Sequence, residues 1–191
     1  PYFNFFGGEA EVTMMNLMGY DAVTLGNHEF DNGVDALARL LSRADFPVVS
    51  SNYQVEGTPL APYLKSSVIL RKGDVKVGII GVTVDPEGLI ASKNYEGVRY
   101  TDPVEAVNRE AERLKKEGAD VVIVLSHLGY EYDDPRKASD VRLAKASRNI
   151  DAIIGGHSHT LLPEPVRIET ADGRKILVGQ TGKSGLYVGY I

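Results

Sequence analysis

No cysteine occurs among the 191 residues. A disulfide framework, a thiolate nucleophile and a cysteine-bound zinc are therefore all excluded, while the compartment stays open. Basic clusters are absent too: the formal net charge is −5, with acids and bases interspersed. Nucleic acid and anionic membrane surfaces are disfavoured as partners. A small phosphorylated ligand would need positive potential from a metal or from oriented backbone amides. No apolar run approaches the ~18 residues of a membrane span. There is no internal repeat, low-complexity tract or interdomain linker, so residues 1–191 read as a single domain. The opening PYFNFFGG has neither an initiator methionine nor a signal-peptide pattern, and it reads as the middle of a longer polypeptide.

What is present is a composition of 43% hydrophobic and 25% charged residues. That fits a soluble globular domain long enough to bury a substantial core. Val12, Met15 and Met18 recur at helical spacing before Gly19, a natural helix stop. The methionines read as core packing on one amphipathic helix, with a soft-metal site as the competing reading. Residues 22–25 form a short apolar strand, and Val34, Leu37, Ala38 and Leu41 mark a second helix. Residues 46–51 are a further strand, closed by Asn52. Residues 63–70 and 75–84 are β-rich, joined by a hairpin turn at Lys72-Gly73-Asp74. Asp102-Pro103-Val104-Glu105 is a helix start, with Asp as N-cap and Pro at the first helical position. Gly118 ends that helix. Residues 121–125 are a continuous apolar strand, residues 138–147 a helix and residues 151–154 a strand. The tail alternates short strands around Ala171-Asp172-Gly173 and ends apolar over residues 187–191. The whole predicts an α/β fold with mixed sheets.

All four histidines, His28, His127, His157 and His159, fall just after strongly apolar strands. In open α/β sheets the ligand crevice lies at the carboxyl ends of the strands, so three strand ends can deliver every imidazole to one place. Each cluster has a plainer reading. Asp31 or Asn32 can simply cap the following helix, and Asn27 can sit in a turn. Against that, His28 and Asp31 are spaced so that the carboxylate can orient the imidazole. Ser126-His127 alone is a weak signal. Gly155-Gly156-His157-Ser158-His159 is stronger: glycines allow a tight turn, and alternate histidines share one side of an extended segment. Imidazole and amide oxygen together suit Zn, Mn or Fe better than Ca.

GNHEFD, SHLG and GGHSHT, in that order, resemble the later metal motifs of the calcineurin-like metallophosphoesterases, and most closely those of the 5′-nucleotidase catalytic domain. VKVGIIGVT, ADVVIVLSHLG and QTGKSGLYVGYI extend the similarity over nearly the whole chain. The resemblance implies a four-layer α/β/β/α sandwich with mixed sheets, here lacking its first strand or strands. It also implies two divalent metal ions (Zn, Mn, Fe or Mg). Asn27, His127 and His157 would ligate one ion and His159 the other. His28 would be the catalytic imidazole and Asp31 its partner, while Glu29 receives no direct role. The implied reaction removes phosphate from nucleoside 5′-monophosphates, with sugar-linked or 2′,3′-cyclic nucleotides as secondary substrates.

Two family elements are missing. No Asp-x-His occurs, and the lone Gly-Asp, Gly73-Asp74, comes after the asparagine motif in a predicted hairpin. The expectation is an N-terminal segment lying outside this sequence, which would carry the bridging carboxylate. The C-terminal nucleotide-specificity domain of the family is likewise expected to lie outside this sequence, so a separate domain or chain is an expected partner. Substrate-binding residues are not assigned. Tyr130, Tyr132 and Tyr187 could stack on a base, or be ordinary surface and core residues. A non-catalytic metal-binding fragment and a half-enzyme completed by another polypeptide are the alternative readings. The resemblance points to the periplasm or cell surface.

Overall fold

The structure is a computed structural model describing residues 5–190; the ends of the opening and closing stretches, residues 1–4 and 191, lie outside it. Helix α1 (Glu9–Met18) ends at Gly19, whose left-handed φ of 71° lets its amide turn back to Asn16 and Met15. Strand β1 (Val23–Thr24) leads through a 3₁₀ turn (His28–Phe30) to α2 (Gly33–Leu41). β1 then pairs in parallel with β2 (Val48–Val49), and β2 in parallel with β4 (Leu64–Lys65). Strand β3 (Tyr53–Gln54) lies outside this sheet, in an antiparallel ribbon with β7 (Arg99–Tyr100).

The larger sheet has six strands. Its order is β10 (Val166–Glu169), β11 (Lys175–Gly179), β9 (Ala152–Ile154), β8 (Val121–His127), β6 (Val75–Thr83) and β5 (Ser67–Lys72). The four inner strands run parallel and the two outer ones antiparallel. Helix α3 (Pro103–Lys116) covers one face. Asp102 caps it by accepting from the Glu105 amide at 2.9 Å, and Ala106, Val107, Ala111 and Leu114 form its buried stripe. Helix α4 (Asp140–Ala146) completes that layer, bringing Val141, Leu143 and Ala144 into the same core.

On the opposite side the small sheet packs under α2 around Leu25, Phe30, Leu37, Leu41 and Val48, a second core. The two sheets meet face to face at Gly81 of β6. A Cβ there would stand 2.0 Å from the Val49 carbonyl oxygen, and Ser51 donates to the Gly81 carbonyl from both its amide (2.7 Å) and its hydroxyl (2.8 Å). Helices, sheet, sheet, helices is the layering the motifs implied. β1 is an edge of its sheet among the described residues. Ile154, on the inner face of the larger sheet, is 44% exposed.

Two expectations are corrected. The run over residues 63–70 is not one strand: it divides into β4 and β5, which belong to different sheets. Ser66 is where the chain passes from one layer to the other. Nor do the methionines form a core stripe. Val12 is buried and Met15 packs against the second core, but Met14 and Met18 are more than half exposed.

Candidate active site

β1 and β8 both run toward one edge of the molecule, and the residues at their ends carry the site. Gly26 closes the turn after β1, and the Glu29 carboxylate accepts from its amide at 2.6 Å. This holds Asn27 buried, 7% exposed, with its side chain turned inward. His127 is the last residue of β8, paired with Thr83 of β6. Alternation along β8 sends Val122, Val124 and Ser126 toward the helices and His127 toward the small sheet. Gly26 must lack a side chain, because a Cβ would stand 2.6 Å from Cε1 and Nε2 of His127.

Three of the expected residues converge. Asn27 Oδ1 lies 3.2 Å from His127 Nε2 and 3.1 Å from His157 Nδ1, and the two imidazoles meet edge to face with centroids 5.1 Å apart. Burial, with the neighbouring histidines His157, His28 and His159, pushes the His127 imidazole down to about 4. Burial and then His159 lower His157 as well. Both rings are therefore neutral at pH 7, the form a metal ion takes.

The remaining expected residues stand beside this cluster. His28 Nδ1 is 3.0 Å from Asp31 Oδ2 on the same turn, and the His28 side chain is 80% exposed. Asn32, not Asp31, occupies the N-cap of α2 and makes no side-chain capping bond. Asp31 is thus committed to the imidazole. His159 is exposed and lies near enough to His127 and His157 to help lower both.

The geometry of the histidine turn differs from the extended segment expected. His157 (φ 70°) and His159 (φ 56°) are both left-handed, whereas Gly155 and Gly156 are not. The glycines serve close approach instead: a Cβ on Gly155 would fall 2.1 Å from Asp140 Oδ2, and one on Gly156 would fall 3.2 Å from His127 Nδ1. A non-glycine residue in this region is strained, and neighbouring structure must hold it there. Gln180, 2% exposed, spans the turn. It accepts from the Thr160 amide at 2.6 Å and from the Ser158 hydroxyl at 3.1 Å, and donates to the Gly156 carbonyl at 2.9 Å.

Sequence reasoning missed Glu29, Gln180, Ser126 and Asp140. Glu29, Ser126 and Gln180 lie inside the recognised motifs and stretches, so the signal was adjacent. Asp140 opens a helix, where an acid is ordinary, and nothing in the pattern shows that it is buried.

The donor set fits one divalent ion: an amide oxygen and two neutral imidazoles from three separate turns. It does not by itself fit a second. Among the described residues His159 would be the only donor there, since Asp31 is engaged by His28 and Glu29 by the Gly26 amide. Among the described residues no three His, Cys, Asp or Glu side chains gather closely enough to hold an ion.

A family model described as bacterial capsule synthesis protein PGA_cap matches residues 1–177. The chain belongs to that family, within the calcineurin-like metallophosphoesterases. This PGA_cap-family chain is 35% identical over 209 aligned residues to the 5′-nucleotidase of Rattus norvegicus, which covers all of this chain and 34% of that protein. The crystal structure of the 5′-nucleotidase precursor from Thermus thermophilus aligns with TM-score 0.82 at 33% identity, over 94% of this chain and 36% of that one. The calcineurin-like phosphoesterase YfkN from Bacillus subtilis aligns with TM-score 0.75 at 32% identity, over 95% of this chain and 62% of that one. The PGA_cap-family chain thus spans about a third of the length of the 5′-nucleotidases it matches.

Proposed function

We propose that this chain is the catalytic part of a metal-dependent phosphomonoesterase acting on nucleoside 5′-monophosphates. The observation that carries the reading is the convergence of Asn27, His127 and His157 at 3.1–3.2 Å beside the His28–Asp31 pair. The similarity to 5′-nucleotidases supports the substrate class.

Asn27, His127 and His157 would hold one divalent ion. Such an ion supplies Lewis acidity to a phosphoryl oxygen and lowers the pKa of water. His28 does the proton work. Asp31 takes up Nδ1 and orients the ring, which leaves Nε2 to hand a proton to the departing ester oxygen. Glu29 keeps the Gly26 turn closed so that Asn27 stays aimed at the histidines.

A second ion at His159 requires carboxylates from beyond the described residues. The resemblance supplies them from an Asp-x-His and a Gly-Asp segment, in the same polypeptide or in another. A nucleotide-specificity domain, and a periplasmic or cell-surface location, belong to the same proposal. No helix among the described residues is long and apolar enough to cross a membrane.

The test is metal stoichiometry by elemental analysis after dialysis against Zn²⁺ or Mn²⁺, followed by phosphate release from adenosine 5′-monophosphate. One ion per chain is expected, with turnover appearing on addition of a polypeptide carrying the two acidic motifs. An ion retained after His157→Ala would remove the ligand assignment. Two ions per chain and full turnover without any addition would instead show that this chain furnishes the acidic ligands itself. No turnover under either condition would favour a non-catalytic metal-binding fragment.

A further inference from the structure

Asp140 is a fully buried carboxyl that the reaction above does not use. Ser126, next to His127, donates its hydroxyl to Asp140 Oδ1 at 2.5 Å, and the Leu128 amide donates to that hydroxyl at 3.2 Å. The other oxygen, Oδ2, is buried against Gly155 and makes no well-formed hydrogen bond among the described residues. The Gln180 amide group lies beside it and favours its charged form. The Asp140 amide itself donates to the Gly129 carbonyl at 2.8 Å. One buried side chain therefore touches the end of β8, the start of the histidine turn and the residue that spans that turn.

Gln180 has a single workable orientation. Its oxygen must face the Thr160 amide and the Ser158 hydroxyl, and its NH₂ must face the Gly156 carbonyl. Asp140 Oδ2 favours that same NH₂ side. Reversing the amide would set NH₂ against N–H at Thr160 and oxygen against oxygen at Gly156.

We infer that Asp140 and Gln180 are positioning residues: a buried acid–amide bracket that holds His157 and His159 in their left-handed backbone and fixes the direction of both imidazoles. Strain in the turn persists only because the surroundings over-determine it. Here the surroundings are Gln180, which holds three groups of the turn, and Asp140, which orients Gln180 and ties the turn to β8. The bracket concerns the same site as the proposed function, and its consequence for metal affinity rests on that reading.

The experiment uses the 191-residue chain and three variants: Gln180→Ala, Asp140→Asn and, as a control, Leu114→Ala. Asp140→Asn keeps the shape but removes the charge that the Gln180 amide favours, so the bracket is weakened without opening a cavity. Leu114 is buried in α3 against Gly78 and Ala119, so its truncation lowers stability at a distance from the turn. In the metal-free chain, exchange of the Thr160 amide and the imidazole resonances of His157 and His159 are read by NMR. Zn²⁺ affinity is read by competition with a chelator. Both bracket variants are expected to speed Thr160 exchange, to move the two imidazole resonances, and to weaken Zn²⁺ binding by about tenfold or more. Leu114→Ala should do none of these, even at equal thermal stability. Imidazole resonances in both bracket variants that move no further than in Leu114→Ala would overturn the inference. Resonances that move without loss of Zn²⁺ affinity would overturn its link to metal binding. A wild-type chain whose Zn²⁺ affinity is indifferent to His157→Ala would sink the ligand assignment, and the bracket would then stand or fall on exchange and resonances alone.

Discussion

His157 Nδ1 lies 3.1 Å from Oδ1 of Asn27, a residue 130 positions earlier in the chain. One amide oxygen thus serves as the meeting point of two imidazoles, since His127 Nε2 is 3.2 Å away on its other side. Asn27 is buried, so its oxygen faces the rings and not solvent. Asn27→Ala removes the only oxygen donor of the three. Zn²⁺ affinity should fall by at least about tenfold, with the fold retained by circular dichroism. Unchanged affinity by calorimetry would mean that Asn27 only bridges the rings.

Gly26→Ala should damage the same cluster without touching a donor. Its Cβ would stand 2.6 Å from the His127 ring, a separation that forces either the ring or the β1 turn to move. Glu29 resists movement of the turn through its 2.6 Å bond from the Gly26 amide. His127 should therefore be displaced and Zn²⁺ affinity should drop about as far as in Asn27→Ala. A crystal structure of the variant with His127 unmoved would contradict this.

His28→Ala should lower turnover by roughly 10²–10⁴ with metal stoichiometry retained, the share expected of a general acid. Asp31→Asn should cost less, because it removes the orienting carboxylate and leaves the imidazole in place. Loss of metal in His28→Ala, measured on the completed enzyme, would place this residue among the ligands.

The convergence of Asn27, His127 and His157 was legible because these residues come directly after apolar strands, and position after a strand is written in one-dimensional pattern. The end of α1 at Gly19 and the Asp102 cap of α3 were legible for the same reason: both are local. What was not legible is what depends on contact between distant segments. The split of residues 63–70 between two sheets turns on a layer change at Ser66 that no periodicity marks. The left-handed backbone of His157 and His159 was hidden because glycines stood beside them and drew the turn assignment to themselves. Asp140 and Gln180 look like an ordinary helix start and an ordinary strand end, and only folding places them beneath the histidines.

Acid and base sensitivity should oppose each other in the metal-free chain. Burial raises Asp140 from the ordinary 3.8 to about 7, and lowers His127 from 6.5 to about 4. Between those limits the folded chain keeps a proton on Asp140 that the unfolded chain has lost. It also lacks one on His127 that the unfolded chain carries. The first makes stability fall as pH rises toward 7, and the second makes stability fall as pH drops from 6.5 toward 4. His157, also lowered, adds to the second. Asp140→Asn removes the first contribution alone. Unfolding free energy measured in urea with a chelator present should then rise more steeply with pH than in wild type, by up to about 1.4 kcal/mol per pH unit. Parallel curves would show that Asp140 titrates alike folded and unfolded.

The site exists only because two sheets are held at a fixed separation, and Gly81 sets that separation. Thr83, two residues further along β6, donates its hydroxyl to the Leu25 carbonyl at 3.0 Å, directly before the Gly26 turn. Asn52 locks the same corner from the small-sheet side, accepting from the Thr83 amide at 2.9 Å and donating to the Thr83 carbonyl at 2.7 Å. A methyl group at position 81 would press on the Val49 backbone at 2.0 Å, and neither backbone can swing aside as a side chain would. Gly81→Ala should therefore cost about 1–3 kcal/mol or more, the range of an overpacked core. It should also move Asn27 relative to His127, because those residues ride on opposite sheets. Denaturant unfolding reads the first effect and Zn²⁺ affinity the second. Loss of stability with full Zn²⁺ affinity would mean that the strand ends are positioned by their own turns and not by the distance between the sheets.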